Sequence, residues 1–321
     1  MRPGALRSGA AAGHHGYFHE ATRFGSDGGL LDVALPFLIG GAEAGEPTFV
    51  ALDRHLAGVV RAALPAGSPV VFLTGDGTPL RPAAAIRWWR ALISRQVADG
   101  AGQVRVLGEM PPRLFGDGWD PWARYESAIN HVFGEFPLWS ICAYDTRRAP
   151  GRVLADMART HPRLVSPGDR RAASTAYTDP RSFLRENRPP VPDPLQSRPP
   201  DAEIADPNPG DARRAVRAAG TGLTPEALDD LVVAVSETVT NALRYGRSPA
   251  RLRVWGSPSR VVVTVSDTGD GPQDPFAGLV PADDHAAGGR GLWITHQACD
   301  DVTAARDATG WTIRLIARTP A

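Results

Sequence analysis

Hydrophobic positions recur at two different periods along the first half of the chain. Runs with helical spacing alternate there with short, continuously apolar runs, which is typical of βα units built around a mostly parallel sheet. We therefore expect an α/β three-layer sandwich in this half. The predicted helices span 29–41, 54–64, 82–99, 121–133 and 151–160, and the predicted strands span 47–52, 70–74, 104–107 and 138–144.

A long amphipathic helix dominates the second half. Its apolar positions recur at helical period, Thr224 and Pro225 are suited to its first turn, and Gly246 is suited to its end. A shorter helix is predicted at 210–219. Strands are predicted at 252–255, 260–266, 301–305 and 311–317. Helices followed by strands favour an α+β two-layer sandwich.

Proline clusters separate the two halves. Residues 179–209 are rich in proline and poor in apolar side chains, and such sequences behave as semi-rigid spacers. We therefore predict a disordered lead-in at 1–13, a first domain at 14–178, a linker at 179–209 and a second domain at 210–321.

Charge and cysteine content narrow the functional classes. The formal net charge is zero and the sequence contains no lysine, so neither a basic nucleic-acid surface nor a phosphate loop ending in lysine is expected. Cys142 and Cys299 fall in different halves, which is typical of a reducing compartment. No apolar run approaches the ~20 residues of a membrane span. We expect a cytoplasmic protein without membrane or direct nucleic-acid contacts.

A polar pair lies on the long helix of the second half. Glu237 and Asn241 are four residues apart, a spacing that places a carboxylate and a carboxamide on one helix face. Such a pair is common by chance on surface helices. Its interpretation depends on the motifs that follow it.

Two glycine-rich stretches follow the polar pair. Asp267 ends a predicted strand and precedes Gly269 and Gly271, an arrangement in which the carboxylate can accept a hydrogen bond from a nucleobase amine. Gly289 and Gly291 precede an apolar run. Glycines that open a helix can bring backbone N–H groups against phosphates.

In this order, the three motifs resemble those of the GHKL ATPase superfamily, which has the Bergerat ATP-binding fold. The resemblance covers roughly residues 205–318, and the run 236–246 is most similar to the kinase domains of bacterial anti-sigma factors. It implies Mg-ATP as cofactor, with Asn241 holding the magnesium ion between the phosphates, Glu237 acting as general base and Asp267 binding the adenine amine. It also implies supporting roles for Gly269 and Gly271 at the adenine pocket, Gly289 and Gly291 at the phosphates, and Thr312 as a water-mediated support of Asp267.

The first half resembles the MEDS sensory domain, named after methanogen and methylotroph sensor proteins. That family has a RecA-like core without the phosphate loop, and the match covers nearly all of residues 14–165. The resemblance implies signal input by an unidentified small molecule or protein. It rests on the stretches 14–20, 105–109, 124–130, 141–145 and 159–162.

Histidines and strand ends supply further candidates in this half. Because no fixed metal-binding spacing is present, capping, packing and hydrogen-bonding roles are favoured over a metal or haem site. The candidate ligands are His14, His15, His19 and His161, with Cys142 and Glu126. The strand ends at 74–77, 108–110 and 144–145 are candidate ligand contacts that turn chemistry explains equally well.

The two resemblances together favour an enzyme: a serine/threonine kinase that phosphorylates an anti-sigma-factor antagonist and so controls sequestration of a sigma factor. A nucleotide-responsive binding protein without turnover is the alternative. A histidine kinase is disfavoured, because no histidine lies between 162 and 285 and the helix before the long one is too short for a dimerisation hairpin. A homodimer is left open.

Overall fold

The computed structural model describes residues 7–73, 81–116, 118–280 and 290–319. The chain divides into two compact units, one comprising residues 1–80 and 85–183 and the other 81–84 and 184–321. Within the described residues, no helix is both long enough and apolar enough to cross a membrane.

The first unit is built on a seven-stranded sheet that is parallel except for its last strand. Its strands are β1 (Phe18–Phe24), β2 (Thr48–Ala51), β3 (Val71–Phe72), β4 (Val104–Glu109), β5 (Leu138–Asp145), β6 (Arg163–Ser166) and β7 (Arg170–Ala173), in the order β3-β2-β4-β5-β1-β6-β7. The helices are α1 (Asp27–Glu43), α2 (Arg54–Ala63), α3 (Pro82–Ala98), α4 (Trp119–Val132), α5 (Gly151–Thr160) and α6 (Pro180–Leu184). The predicted α/β class is confirmed.

Strand β1 lies between β5 and β6 in the sheet, although the sequence patterns did not predict it. Polar residues interrupt its apolar run, and two of them, His19 and Glu20, are buried with partners. His19 faces Asn130, and the Glu20 carboxylate accepts a hydrogen bond from the Trp139 indole (2.7 Å) and pairs with Arg171 (3.0 Å). Long-range partners therefore allow a polar sequence to form a central strand.

The second unit is a two-layer α+β sandwich, as predicted. Its strands β8 (Ala202–Ala205), β9 (Arg251–Gly256), β10 (Arg260–Asp267), β11 (Asp301–Asp307) and β12 (Gly310–Arg318) form an antiparallel sheet in the order β11-β12-β10-β9-β8. Helices α7 (Pro209–Ala219), α8 (Pro225–Tyr245) and α9 (Arg290–Ala298) cover one face. Leu231, Val235 and Val239 of α8 pack there against Val263 and Leu315 of the sheet.

Much of the proline-rich segment packs onto the second unit. Leu195 lies against Trp255, Val262 and Ile316, on the sheet face that the helices leave open, and the Asp193 carboxylate pairs with the Arg260 guanidinium at 2.9 Å. Strand β8 then pairs with β9. The segment 179–209, expected to be a spacer, thus includes an edge strand and a cover for the sheet. Its contacts depend on partners remote in sequence, which composition does not reveal.

Candidate functional site

Helix α8 presents the polar pair that the sequence indicated. The Thr224 hydroxyl accepts a hydrogen bond from the Ala227 amide at its start, and its apolar face is buried against the sheet. Glu237 and Asn241 are half-buried at the edge of this face. Neither side chain hydrogen-bonds any residue in the described part of the chain, so their polar atoms remain available to a ligand.

Helix α9 begins directly against this pair. A Cβ atom added to Gly291 would lie 2.6 Å from Glu237 Oε2 and 3.3 Å from Asn241 Nδ2. The Thr295 hydroxyl donates to the Gly291 carbonyl at 2.8 Å, within α9. Glycine at 291 thus allows the positive end of α9 to approach Glu237 and Asn241, which is suitable for an anionic ligand. Gly289, predicted to contact phosphate, lies outside the described residues.

Asp267 lies at the end of β10, and only one of its two carboxylate oxygens accepts hydrogen bonds from the described residues. Its Oδ1 accepts hydrogen bonds from the amides of Gly269 (2.7 Å) and Arg247 (3.2 Å), and the residue is 9% exposed. Among the described residues, none donates to Oδ2. A Cβ at Gly269 would lie 2.6 Å from Oδ1, so glycine is needed for this close turn. The arrangement leaves one buried acceptor, suited to a ligand N–H group.

Gly271 and Trp311 form the next part of the site. Gly271 has a φ of +74°, and a Cβ there would lie 2.5 Å from Cδ2 of Trp311. Trp311 is the cross-strand neighbour of Asp267. No sequence motif indicated Trp311 as part of the site. Its register opposite Asp267 was the missing signal.

Thr312 does not lie where the resemblance implied. It pairs with Ser266 in the β10–β12 register, whereas Asp267 pairs with Trp311. Because successive strand side chains point to opposite faces, Thr312 points away from the face that carries Asp267. The predicted water-mediated support of Asp267 by Thr312 is therefore wrong.

The first unit contains a partly open cavity of about 720 Å³ near the carboxyl ends of β2 and β4. Glu109, at one of the strand ends considered in the sequence, lines it. Burial raises the pKa of this carboxyl group to about 7. The Asp53 amide, which donates a hydrogen bond to Glu109 at 3.1 Å, opposes this increase, whereas the negative charge of the Asp53 carboxylate adds to it. Residues 74–77 lie outside the described part of the chain. Asp145, at the third strand end, instead pairs with Arg147 at 2.8 Å.

The pKa of Glu109 leads to a stability prediction. An acid whose pKa is about 7 in the native state and 4.5 when unfolded makes stability fall as pH rises between these values, because the native state binds more protons. Glu109→Gln should remove this loss, so the variant should unfold at a higher temperature than the parent above about pH 7 and at a similar temperature below about pH 4.5. Thermal unfolding at both ends of the range tests this. The exposed-site variant Glu135→Gln is the control, and a parallel pH profile for Glu109→Gln and the parent would contradict it.

The structure brings together four of the six weighed metal-ligand candidates. The side chains of His19, Glu126, Cys142 and His161 place one ligand atom each within 4.8 Å of one another. Burial, followed by the proximity of His161, lowers the pKa of His19 to about 4, so its ring is neutral near pH 7. His14 lies elsewhere, with Nε2 at 3.2 Å from the Tyr17 carbonyl, and His15 is exposed.

Two family models match the chain. The MEDS model, described as "MEthanogen/methylotroph, DcmR Sensory domain", matches residues 18–162, and the model "Histidine kinase-like ATPase domain" matches residues 206–317. The chain therefore joins a MEDS sensory domain to a histidine kinase-like ATPase domain, as both sequence resemblances predicted. Its second unit is a kinase-like ATP-binding domain.

Comparison with whole proteins adds little. No curated protein matches the chain. Among solved structures, the NMR structure of the histidine kinase domain of the E. coli osmosensor EnvZ is 19% identical with a TM-score of 0.24, covering 39% of this chain and 92% of that chain. The assignment of the second unit rests on the family model.

Proposed function

We propose that the chain is a signal-responsive anti-sigma regulator whose second unit binds Mg-ATP and phosphorylates a serine or threonine of an anti-sigma-factor antagonist. This reaction controls sequestration of a sigma factor. The observation that supports it is the Glu237 carboxylate, which lies beside Gly291 at the start of α9 and has no hydrogen-bond partner in the described residues. A protein that only binds nucleotide needs the pocket but not a base.

The residues of the site fit Mg-ATP. Asp267 has one acceptor oxygen for the adenine amine, and Gly271 with Trp311 borders the same region. Asn241 would hold the magnesium ion through its side-chain oxygen, and the first turn of α9 at Gly291 would face the phosphates. ATP, when bound, supplies the phosphoryl group for transfer.

In this proposal, Glu237 accepts the proton of the attacking hydroxyl. It lies one helical turn before Asn241 on α8, so a metal-bound phosphate and the base would be adjacent. Phosphoryl transfer depends on positioning and charge stabilisation, with a carboxylate that accepts the proton of the nucleophile. The rigid packing of α8 on the sheet fixes this carboxylate relative to Asp267.

A histidine kinase mechanism has less support. Helix α7 contains 11 residues, and the part of the chain before it forms a short 3-10 helix and edge strand β8 against the sheet. No helical hairpin with an acceptor histidine precedes α8 in the described residues from 184 to 224. The remaining alternative, a nucleotide-responsive binder, differs from the proposed kinase only in turnover.

Asn241→Ala tests the magnesium role. Loss of the carboxamide should weaken Mg-ATP binding by about 1–2 kcal/mol, roughly tenfold, because a charged partner loses one ligand. Binding measured without magnesium should change less. Calorimetry with and without Mg²⁺ measures both, and Asn187→Ala, at an exposed position whose side chain contacts β11, is the control. Equal affinity of the variant and the parent for Mg-ATP would contradict the assignment.

The kinase proposal itself is tested by incubating the full chain with labelled ATP and candidate antagonist proteins, followed by mapping of the labelled residue. Acid-stable label on serine or threonine supports the proposal. Nucleotide-dependent complexes without label favour the binding protein, and acid-labile label on histidine favours the third hypothesis. Candidate signals for the MEDS domain are added in the same assay to find the sign of regulation.

A further inference from the structure

Four side chains from separate elements converge in the interior of the first unit. His19 lies on β1, Glu126 on α4, Cys142 on β5, and His161 directly after α5. His161 Nε2 lies 3.1 Å and His19 Nε2 lies 3.6 Å from Glu126 Oε2, and Cys142 Sγ lies 3.5 Å from His19 Nε2. The two histidines and the glutamate are at most 2% exposed. Buried polar groups of this kind require partners.

The hydrogen bonds of His161 fix which ring nitrogen carries the proton. Its Nδ1 lies 2.8 Å from the Met157 carbonyl oxygen, which can only accept. Nδ1 therefore donates, which leaves Nε2 as the ring nitrogen that can bind a metal ion. This nitrogen faces Glu126 Oε2, and neither atom has a hydrogen-bond partner within the described residues.

His19 is fixed in the same way. Its Nδ1 lies 2.9 Å from Asn130 Oδ1. The orientation of that amide is set by its Nδ2, which donates to the carbonyls of Glu126, Ser127 and Thr160. His19 Nδ1 therefore donates, and its Nε2 faces the same centre as His161 Nε2.

This arrangement is that of a metal site with its supporting shell. Metal-binding histidines usually donate their second N–H group to a carbonyl or carboxylate, which fixes the ring and its tautomer. Metal–ligand distances of about 2.0–2.3 Å place adjacent tetrahedral ligand atoms about 3.3–3.6 Å apart. The separations of 3.5 and 3.6 Å agree with this spacing, the separation of 3.1 Å is slightly shorter, and all four ligand atoms lie within 4.8 Å of one another.

We propose that His19, Glu126, Cys142 and His161 bind one divalent transition-metal ion of the zinc class. Two imidazole nitrogens and a thiolate favour Zn²⁺ or Co²⁺ over Mg²⁺ or Ca²⁺, which prefer oxygen ligands. Cys142 and Glu126 also line the cavity, which provides an entry path for the ion. The site is independent of the kinase function proposed for the second unit.

The test uses the full chain, stripped with a chelator and titrated with Co²⁺ in the absence of nucleotide. We expect one Co²⁺ per chain, with intense visible bands of a tetrahedral site and a thiolate-to-cobalt charge-transfer band. Cys142→Ser should abolish the charge-transfer band and weaken binding at least about tenfold, since even changes in the supporting shell cost about 10–100-fold. Cys299→Ser, at the buried cysteine of the second unit, should leave both the charge-transfer band and the affinity unchanged.

A second variant and a competing metal complete the test. His161→Gln should also weaken Co²⁺ binding, whereas His14→Gln should not, and Zn²⁺ should displace Co²⁺ stoichiometrically. Circular dichroism verifies that each variant is folded. Failure of the parent chain to bind a stoichiometric metal ion would overturn the proposal and leave a proton-linked hydrogen-bond network. Binding that survives both Cys142→Ser and His161→Gln unchanged would also overturn it.

Discussion

Glu237→Gln is expected to lower phosphoryl transfer by about 10²–10⁴-fold while leaving ATP affinity nearly unchanged, because a general base acts on the rate of the chemical step. Glutamine keeps the shape of the side chain but cannot accept the proton of the attacking hydroxyl. Glu237 is half-buried beside Gly291 and has no hydrogen-bond partner within the described residues, which supports its proposed role as the base. Single-turnover transfer to the antagonist and calorimetric ATP binding measure the two quantities separately.

The matched control is Glu226→Gln, the same substitution at an exposed position in the first turn of the same helix. It should change neither quantity. If Glu237→Gln lowers affinity and rate equally, Glu237 positions the nucleotide and is not the base. If Glu237→Gln keeps the full transfer rate, either another group is the base or the reaction needs no general base.

The second unit could be predicted closely because its signals are local. The period of α8, its capping residues and the four-residue spacing from Glu237 to Asn241 all lie in one continuous segment. The order of the three motifs then indicated the family. Thr312 was assigned wrongly because its distance from Asp267 depends on the register of β10 with β12, and a shift of one residue reverses the face.

The first unit was harder to predict because its chemistry comes from distant segments. His19 lies in a strand whose polar residues hide its position in the sheet, and Glu126, Cys142 and His161 come from three other elements. No sequence spacing connects them, since only the parallel pairing of β1 with β5 brings His19 next to Cys142. The candidate residues could be predicted from the sequence, but their proximity in the fold could not.

The packing of the proline-rich segment also affects how the second unit should be studied alone. A fragment that begins at 205 would remove most of strand β8 and the contacts of Asp193 and Leu195 with the sheet. Exposing this apolar face and the edge of β9 would favour aggregation. A fragment that begins at 184 keeps strand β8 and the contacts of Asp193 and Leu195 with the sheet.

The adenine contact is tested by Asp267→Asn. The asparagine oxygen can still accept the amides of Gly269 and Arg247 at the Oδ1 position, so the turn after β10 is retained. The NH₂ group of asparagine then occupies the Oδ2 position. Because this group and the adenine amine are both donors, no hydrogen bond can form between them. Losing a charged hydrogen bond and leaving the amine unsatisfied should together weaken ATP binding by about 3 kcal/mol, roughly 100-fold. Calorimetric titration measures the change, and thermal unfolding without nucleotide should stay close to that of the parent. Asp270→Asn, the same substitution at an exposed neighbour that pairs with Arg306, should leave affinity unchanged. ATP affinity that is equally high in Asp267→Asn would show that this carboxylate only shapes the turn.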